Sequence, residues 1–249
     1  MSTHIIAVAN YKGGVGKTET VYRLGIQWAM RGLAPLLIDL DPQANLSRRC
    51  NNTAWGNRHI GAVLGGAAPA TAKLVEAAMR IDLGEHLAWQ VASDIQLENV
   101  AVGLLQRNFN RLTALANAIA EAGDIGGPIL IDTPPNAGVL TLNALVAASH
   151  VVVCADPEED AIAGVRRIQE IIGEIDRERG VAPKILGTIA TRVDTILTRH
   201  TEGLAALKAP GMPPLLGSIP KRAGQDADRW LNEAYADVAD LVWREVGHA

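Results

Sequence analysis

Cysteine is scarce in this chain. Cys50 and Cys154 are the only two among 249 residues, and neither stands in a Cys-x-x-Cys pair or a Cys/His cluster. That excludes a disulfide framework and gives no sign of a zinc site, so both read as ordinary thiols. Long apolar runs are missing too: none approaches the roughly 20 residues of a membrane-spanning helix. The N-terminus enters a strand pattern at His4, which leaves no room for a signal peptide, and a cytoplasmic protein is expected. No internal repeat, low-complexity tract or linker interrupts the sequence, and a single domain over 1–249 is the simplest reading.

A strong charge of either sign is also lacking. The formal net charge is −4, which argues against a protein coated in positive potential. Residues 1–150 balance, with 11 basic and 11 acidic side chains. Within 179–222 the balance tips: Arg179, Lys184, Arg192, Arg199, Lys208, Lys221 and Arg222 face only Asp194 and Glu202. A basic patch on a neutral body is therefore expected, with Arg48-Arg49 as further candidate phosphate contacts.

What the sequence does contain is a glycine-rich stretch, Tyr11-Lys12-Gly13-Gly14-Val15-Gly16-Lys17-Thr18, between an apolar run at 4–10 and a helix-like run at 17–31. Closely spaced glycines let backbone N–H groups turn inward around phosphate oxygens, and the following helix adds the positive end of its dipole. Lys17 would neutralise the terminal phosphates. Thr18 carries the hydroxyl that such loops offer to Mg²⁺. The common phosphate-loop pattern asks for a glycine at position 11, where this chain has Tyr11, and Lys12 adds a second cation inside the loop.

Two more segments deliver acids where apolar strands run out. Leu36 to Leu40 leads into Asp39-Leu40-Asp41-Pro42-Gln43-Ala44-Asn45, and Pro128 to Ile131 leads into Asp132-Thr133-Pro134-Pro135. In open α/β sheets that edge is where ligands bind. Asp132 is the candidate to hold Mg²⁺ through water, Asp41 to orient an attacking water, and Asp39 to support the loop or the metal shell. An Asx turn before Pro42 is the structural alternative for Asp39 and Asp41.

Strands are expected at 4–10, 36–40, 87–93, 128–132, 151–155, 185–190 and 215–219. Helices are expected at 17–31, 71–80, 95–105, 108–122, 139–148 and 160–179, with a last amphipathic helix after 226 that docks on the sheet through Leu231, Tyr235, Val238 and Val242. About seven strands alternating with helices make an α/β, doubly wound, mainly parallel sheet covered on both faces.

The loop Lys12-Gly13-Gly14-Val15-Gly16-Lys17-Thr18 resembles the deviant Walker A motif of the ParA/MinD ATPases. The segments at 39–45 and 132–145 resemble their switch I and Walker B/switch II segments, and similarity continues through Asp156-Pro157-Glu158-Glu159 and Ile219-Pro220-Lys221. The resemblance implies ATP and Mg²⁺ as cofactors, Lys12 reaching the nucleotide of a partner subunit, and Arg192 and Pro220 near the adenine. It further implies an ATP-sandwich homodimer that binds DNA non-specifically, with Arg192, Arg199, Lys221 and Arg222 as candidate contacts, and slow hydrolysis stimulated by a ParB-like centromere-binding or adaptor protein. Plasmid or chromosome partition is the function implied, on the nucleoid when ATP is bound.

Related ATPases position protein cargo instead, and others cycle on membranes. A membrane-cycling protein needs a basic amphipathic tail, and this tail carries Asp228, Glu233, Asp237, Asp240 and Glu245 on its polar face, so stable membrane association is not expected. No helix-turn-helix domain precedes His4, so operator-specific binding is not expected either. Position 19 departs from the family: Glu19 stands where the family commonly has Thr or Ser near the α-phosphate. A carboxylate suits a helix N-terminus but repels phosphate if it turns inward. The short stretch from Ala223 to Asp228, where the family has a longer loop, leaves that loop's contacts open.

Overall fold

The architecture follows from how the apolar residues alternate. The structure is a computed structural model and describes residues 3–54, 56–158, 161–221 and 226–247. In chain order its first half runs β1 (Ile5–Ala9), α1 (Lys17–Met30), β2 (Leu36–Asp39), α2 (Asn45–Arg49), α3 (Ile60–Leu64), α4 (Leu74–Ala77), β3 (Met79–Leu83), β4 (His86–Val91) and α5 (Leu97–Leu105). It continues with α6 (Ala114–Ala122), β5 (Ile129–Asp132), α7 (Val139–Ala147), β6 (His150–Ala155), α8 (Ala161–Arg179), β7 (Lys184–Val193), α9 (Thr198–Leu207), β8 (Leu215–Pro220) and α10 (Ala227–Gly247).

The strands form one eight-stranded sheet in the order β3-β4-β2-β5-β1-β6-β7-β8. Every pairing is parallel except the β3–β4 hairpin. Successive side chains of a strand point to opposite faces, and here both faces are buried. Ala7, Ile38, Ile131 and Val153 pack with α6, α7 and α8 on one face, whereas Val8, Leu37, Leu130 and Val152 pack with α1 and α10 on the other. The expected docking of the last helix is observed: Tyr235, Val238 and Val242 are buried in the second cluster, with Leu231 packed against it.

Three elements differ from the sequence reading. The stretch at 71–80 is not one helix, because α4 ends at Ala77 and β3 begins at Met79. Within β3, Ile81 and Leu83 are buried while Arg80 and Asp82 are exposed, a period of two. Gly84 and Glu85, at φ 59° and 70°, close the hairpin with His86 opposite Leu83, the left-handed pair that a two-residue turn requires. The helix expected at 108–122 starts only at Ala114, since Asn110 sits at φ 61° and no helix runs through that conformation. Helix α9 lies in the basic stretch and was not anticipated; it buries only His200 and Leu207, too few apolar positions to announce a helix.

All the motif segments arrive at the carboxyl edge of the sheet. β1 sits between β5 and β6, so chain order reverses direction around it, and this is where a crevice opens in doubly wound sheets. Asp39 and Asp132 are register partners on β2 and β5. Adjacent strands lie about 4.8 Å apart, so two carboxylates stand side by side at that edge.

Candidate functional site

The loop after β1 is shaped by two left-handed glycines. Gly14 has φ 74° and Gly16 φ 79°, conformations that side chains with a Cβ rarely adopt. A Cβ on Gly16 would also lie 3.3 Å from Thr191. The loop is tied down at both ends. The Asn10 side-chain amide donates to Cys154 O (2.6 Å) and its Oδ1 accepts from Lys12 N (3.1 Å). Thr191 Oγ1 donates to Val15 O (2.8 Å), and Arg192 Nη1 donates to Gly14 O (2.9 Å).

Lys17 is buried and curls back, its Nζ donating to Lys12 O at 3.0 Å. Burial pulls its pKa down, and the nearby acids, Asp132 foremost and Asp41 further off, push it back up. Thr18 Oγ1 donates to Asp132 Oδ2 at 2.7 Å. Asp132 is fully buried, and its other oxygen, Oδ1, has no hydrogen-bond partner among the described residues. Burial and the facing Asp39 raise its pKa well above the usual carboxylate range. A buried carboxylate oxygen without a donor, beside a threonine hydroxyl and a lysine, suits a hydrated divalent cation held through water. Mg²⁺ therefore fits this donor set.

Asp39 is held by its surroundings. It accepts from Asp41 N (3.0 Å), Ser47 N (2.9 Å) and Ser47 Oγ (2.7 Å), and burial pushes its pKa up to about 6. It is a fixed strut between β2 and α2. Asp41 lies beyond the strand, largely buried, with Oδ1 accepting from Gln43 N at 2.9 Å. The Asx turn is thus present, and Asp41 still lies close enough to act electrostatically on both Lys17 and Asp132.

The remaining expected residues are distributed as follows. Gly13 and Val15 lie in the loop, Val15 with its side chain in the core. Lys12 is partly exposed, with its Nζ 4.0 Å from Glu158. Glu19 faces away from the loop toward Arg23 (2.5 Å) and Arg49 (3.7 Å). Arg192, at φ 56°, is drawn to Gly14 O and to Asp156 (3.7 Å), and Pro220 ends β8 beside Val193. Arg199 is exposed on α9, Lys221 is exposed just after β8, and Arg222 lies outside the described residues. Arg49 is not a free phosphate contact, because Glu19 and Asp228 neutralise it, while Arg48 is exposed and bonds Asn45.

Sequence reasoning missed Asn10, Ser47 and Arg23. Asn10 bonds Cys154, 144 positions away, and Ser47 bonds Asp39 from eight positions on, and no local motif announces either contact. Arg23 did carry a signal, the four-residue spacing from Glu19 that places the two on one helix face.

Comparison with known proteins adds the following. The AAA domain family model matches residues 3–185. The chromosome partitioning protein ParA of Caulobacter vibrioides is 34% identical over 76% of this chain and 70% of its own length. The chromosome-partitioning ATPase Soj of Thermus thermophilus is 34% identical over 79% and 73%. Among solved structures, cobyrinic acid a,c-diamide synthase from Mycobacterium smegmatis, with bound ATP analogue and magnesium, superposes with a TM-score of 0.82 at 30% identity, covering 98% of this chain and 95% of that one. A plasmid partition protein of Borrelia burgdorferi bound to AMPPNP superposes with a TM-score of 0.81 at 20% identity, covering 98% and 100%, a likeness of fold. Among the described residues no helix is long and apolar enough to cross a membrane.

Proposed function

Because the chain belongs to the ParA/Soj-type ATPases of the AAA domain family, we propose that it hydrolyses ATP with Mg²⁺ and cycles between a monomer and an ATP-sandwich homodimer. The dimer binds DNA non-specifically, and a ParB-like or adaptor partner stimulates hydrolysis to release it, driving plasmid or chromosome partition. The observation that carries the reading is the loop itself: Lys17 and Thr18 stand beside an Asp132 carboxylate whose second oxygen has no hydrogen-bond partner among the described residues, while Lys12 is partly exposed near Glu158.

Each part of the chemistry has a residue. Bound Mg²⁺ would neutralise phosphate charge as the γ-phosphoryl departs. Loop N–H groups and Lys17 hold the β- and γ-phosphates in a site with little water, where a fixed cation acts most strongly. Thr18 and Asp132 hold the metal shell, and Asp41 orients the attacking water. Arg192 and Pro220, brought to the same edge by β7 and β8, flank the adenine. Arg199, Lys221 and Arg222 supply phosphate contacts for DNA, and pairing two protomers doubles them.

Lys12 tests the sandwich. Two nucleotides brought face to face repel each other, and a lysine reaching across offsets that repulsion. One charge pair at 4 Å contributes about 4 kcal/mol at an intermediate effective dielectric before desolvation is subtracted. Lys12→Ala is therefore expected to bind ATP nearly as the wild type does, through Lys17, yet to sediment as a monomer with ATP and Mg²⁺. A Lys12→Ala protein that still dimerises with ATP would remove the cross-subunit role.

A further inference from the structure

A second polar cluster joins the start of α1 to α2 and α10. Arg23 is 1% exposed, yet it is charged, and it donates to Glu19, to the backbone and side chain of Asp228 and to Asn232 Oδ1. Arg49, the last residue of α2, reaches the same two acids, Glu19 at 3.7 Å and Asp228, and lies over the Tyr22 ring at 4.5 Å. Two arginines thus share two carboxylates across α1, α2 and α10. Hydrogen bonds from the arginines hold Asp228 below the usual carboxylate range.

What this cluster holds is the segment that carries Asp39 and Asp41. Helix α2 has five residues and no side-chain cap, and it lies between Ala44 and Asn51, both at φ 52°. So short a helix has almost no stability of its own. Its placement comes from three residues: Leu46 in the core, Ser47 donating to Asp39 from both its hydroxyl and its backbone amide, and Arg49 in the charge cluster. Leu46 and Ser47 fix the start of α2. Arg49 fixes its far end and thereby its direction.

We propose that Arg49 is a positioning residue for ATP hydrolysis: clamped by Glu19 and Asp228, it orients α2 and so aims the Asp39–Asp41 segment at the phosphates. The proposal rests on the reading that Asp41 orients the attacking water. It also gives Glu19 a task, as the anion shared by Arg23 and Arg49. Asp228 ties the clamp to α10, so the active-site acids and the last helix are held by one set of charges.

The test uses the full chain with Arg49→Met, which keeps the apolar stem and removes the charge, together with Asp228→Asn, the double variant, Arg49→Lys and Asp41→Ala. Misaiming a group by about 1 Å costs up to roughly a hundredfold in rate. Arg49→Met is expected to lower kcat by roughly ten- to a hundredfold with little change in ATP affinity, and Arg49→Lys to recover part of the loss. The double variant is expected to be no slower than Arg49→Met, because both changes break one clamp. Without nucleotide, hydrogen exchange at the Asp41 and Ser47 amides, both bonded to Asp39, is expected to quicken in Arg49→Met. Unchanged turnover and exchange in Arg49→Met, additive losses in the double variant, or a loss of ATP affinity equal to the loss of kcat would each overturn the proposal. If Asp41→Ala alone kept wild-type turnover, the reading of Asp41 would fall and this proposal with it; a dead Asp41→Ala beside a wild-type Arg49→Met would sink the Arg49 clamp only.

Discussion

Lys17→Ala is expected to weaken ATP binding and turnover together, by roughly a hundred- to a thousandfold, the loss of about 2.7–4 kcal/mol that follows removal of one preorganised donor in a dry site. The structure explains why the loss should be so complete. Lys17 is 6% exposed and sits among Asp132 and Asp41, with Asp39 next to Asp132. Without its ammonium, the phosphates would face those carboxylates with one fixed cation fewer, leaving the loop N–H groups and the metal to offset them. Lys12 does not substitute, because its ammonium lies near Glu158 and is partly exposed. Isothermal titration with ATP and Mg²⁺ checks this, and a Lys17→Ala protein with wild-type affinity would remove the phosphate-loop assignment.

Asp41→Ala is expected to separate binding from turnover. A residue that only orients water stabilises the transition state and adds little to ground-state binding. Turnover should fall by roughly a hundredfold or more, while the ATP dissociation constant stays within about threefold. The local geometry favours a clean result: Asp41 accepts only the Gln43 amide among the described hydrogen bonds, whereas Asp39 accepts three, two of them from Ser47 that hold the strand end to α2. Asp39→Ala should accordingly destabilise the fold as well. Single-turnover hydrolysis beside equilibrium binding makes the comparison. Equal loss of binding and rate in Asp41→Ala would make Asp41 a structural or metal-holding residue.

Most of the sheet was legible in the sequence because parallel strands buried on both faces are short apolar runs, as at 128–132, bounded by glycine and proline, and at 151–155. The edge hairpin was not, because β3 is half exposed and its alternation spans five residues beside a helical-looking stretch. In the site, residues close in sequence were readable: the loop glycines, Lys17, Thr18 and the two strand-end acids. Contacts made across the fold were not. Ser47 bonds Asp39 across a loop, Asn10 joins two strands 144 positions apart, and Asp228 reaches Arg23 across 205. Glu19 shows the difference most clearly: its place in the motif suggested a phosphate neighbour, and its partners four residues on and on α2 turn it the other way.

On the proposed function, ATP is expected to switch this protein between a form that ignores DNA and a dimer that holds it. Retention of a sequence-unrelated duplex should therefore be measured with ATP and Mg²⁺, with ADP and Mg²⁺, and without nucleotide, at several fixed salt concentrations. The expected result is retention with ATP alone, weakening steeply as salt rises in proportion to the phosphates neutralised. Retention that is equal in all three nucleotide states, or absent with ATP at low salt while the protein dimerises, would contradict it.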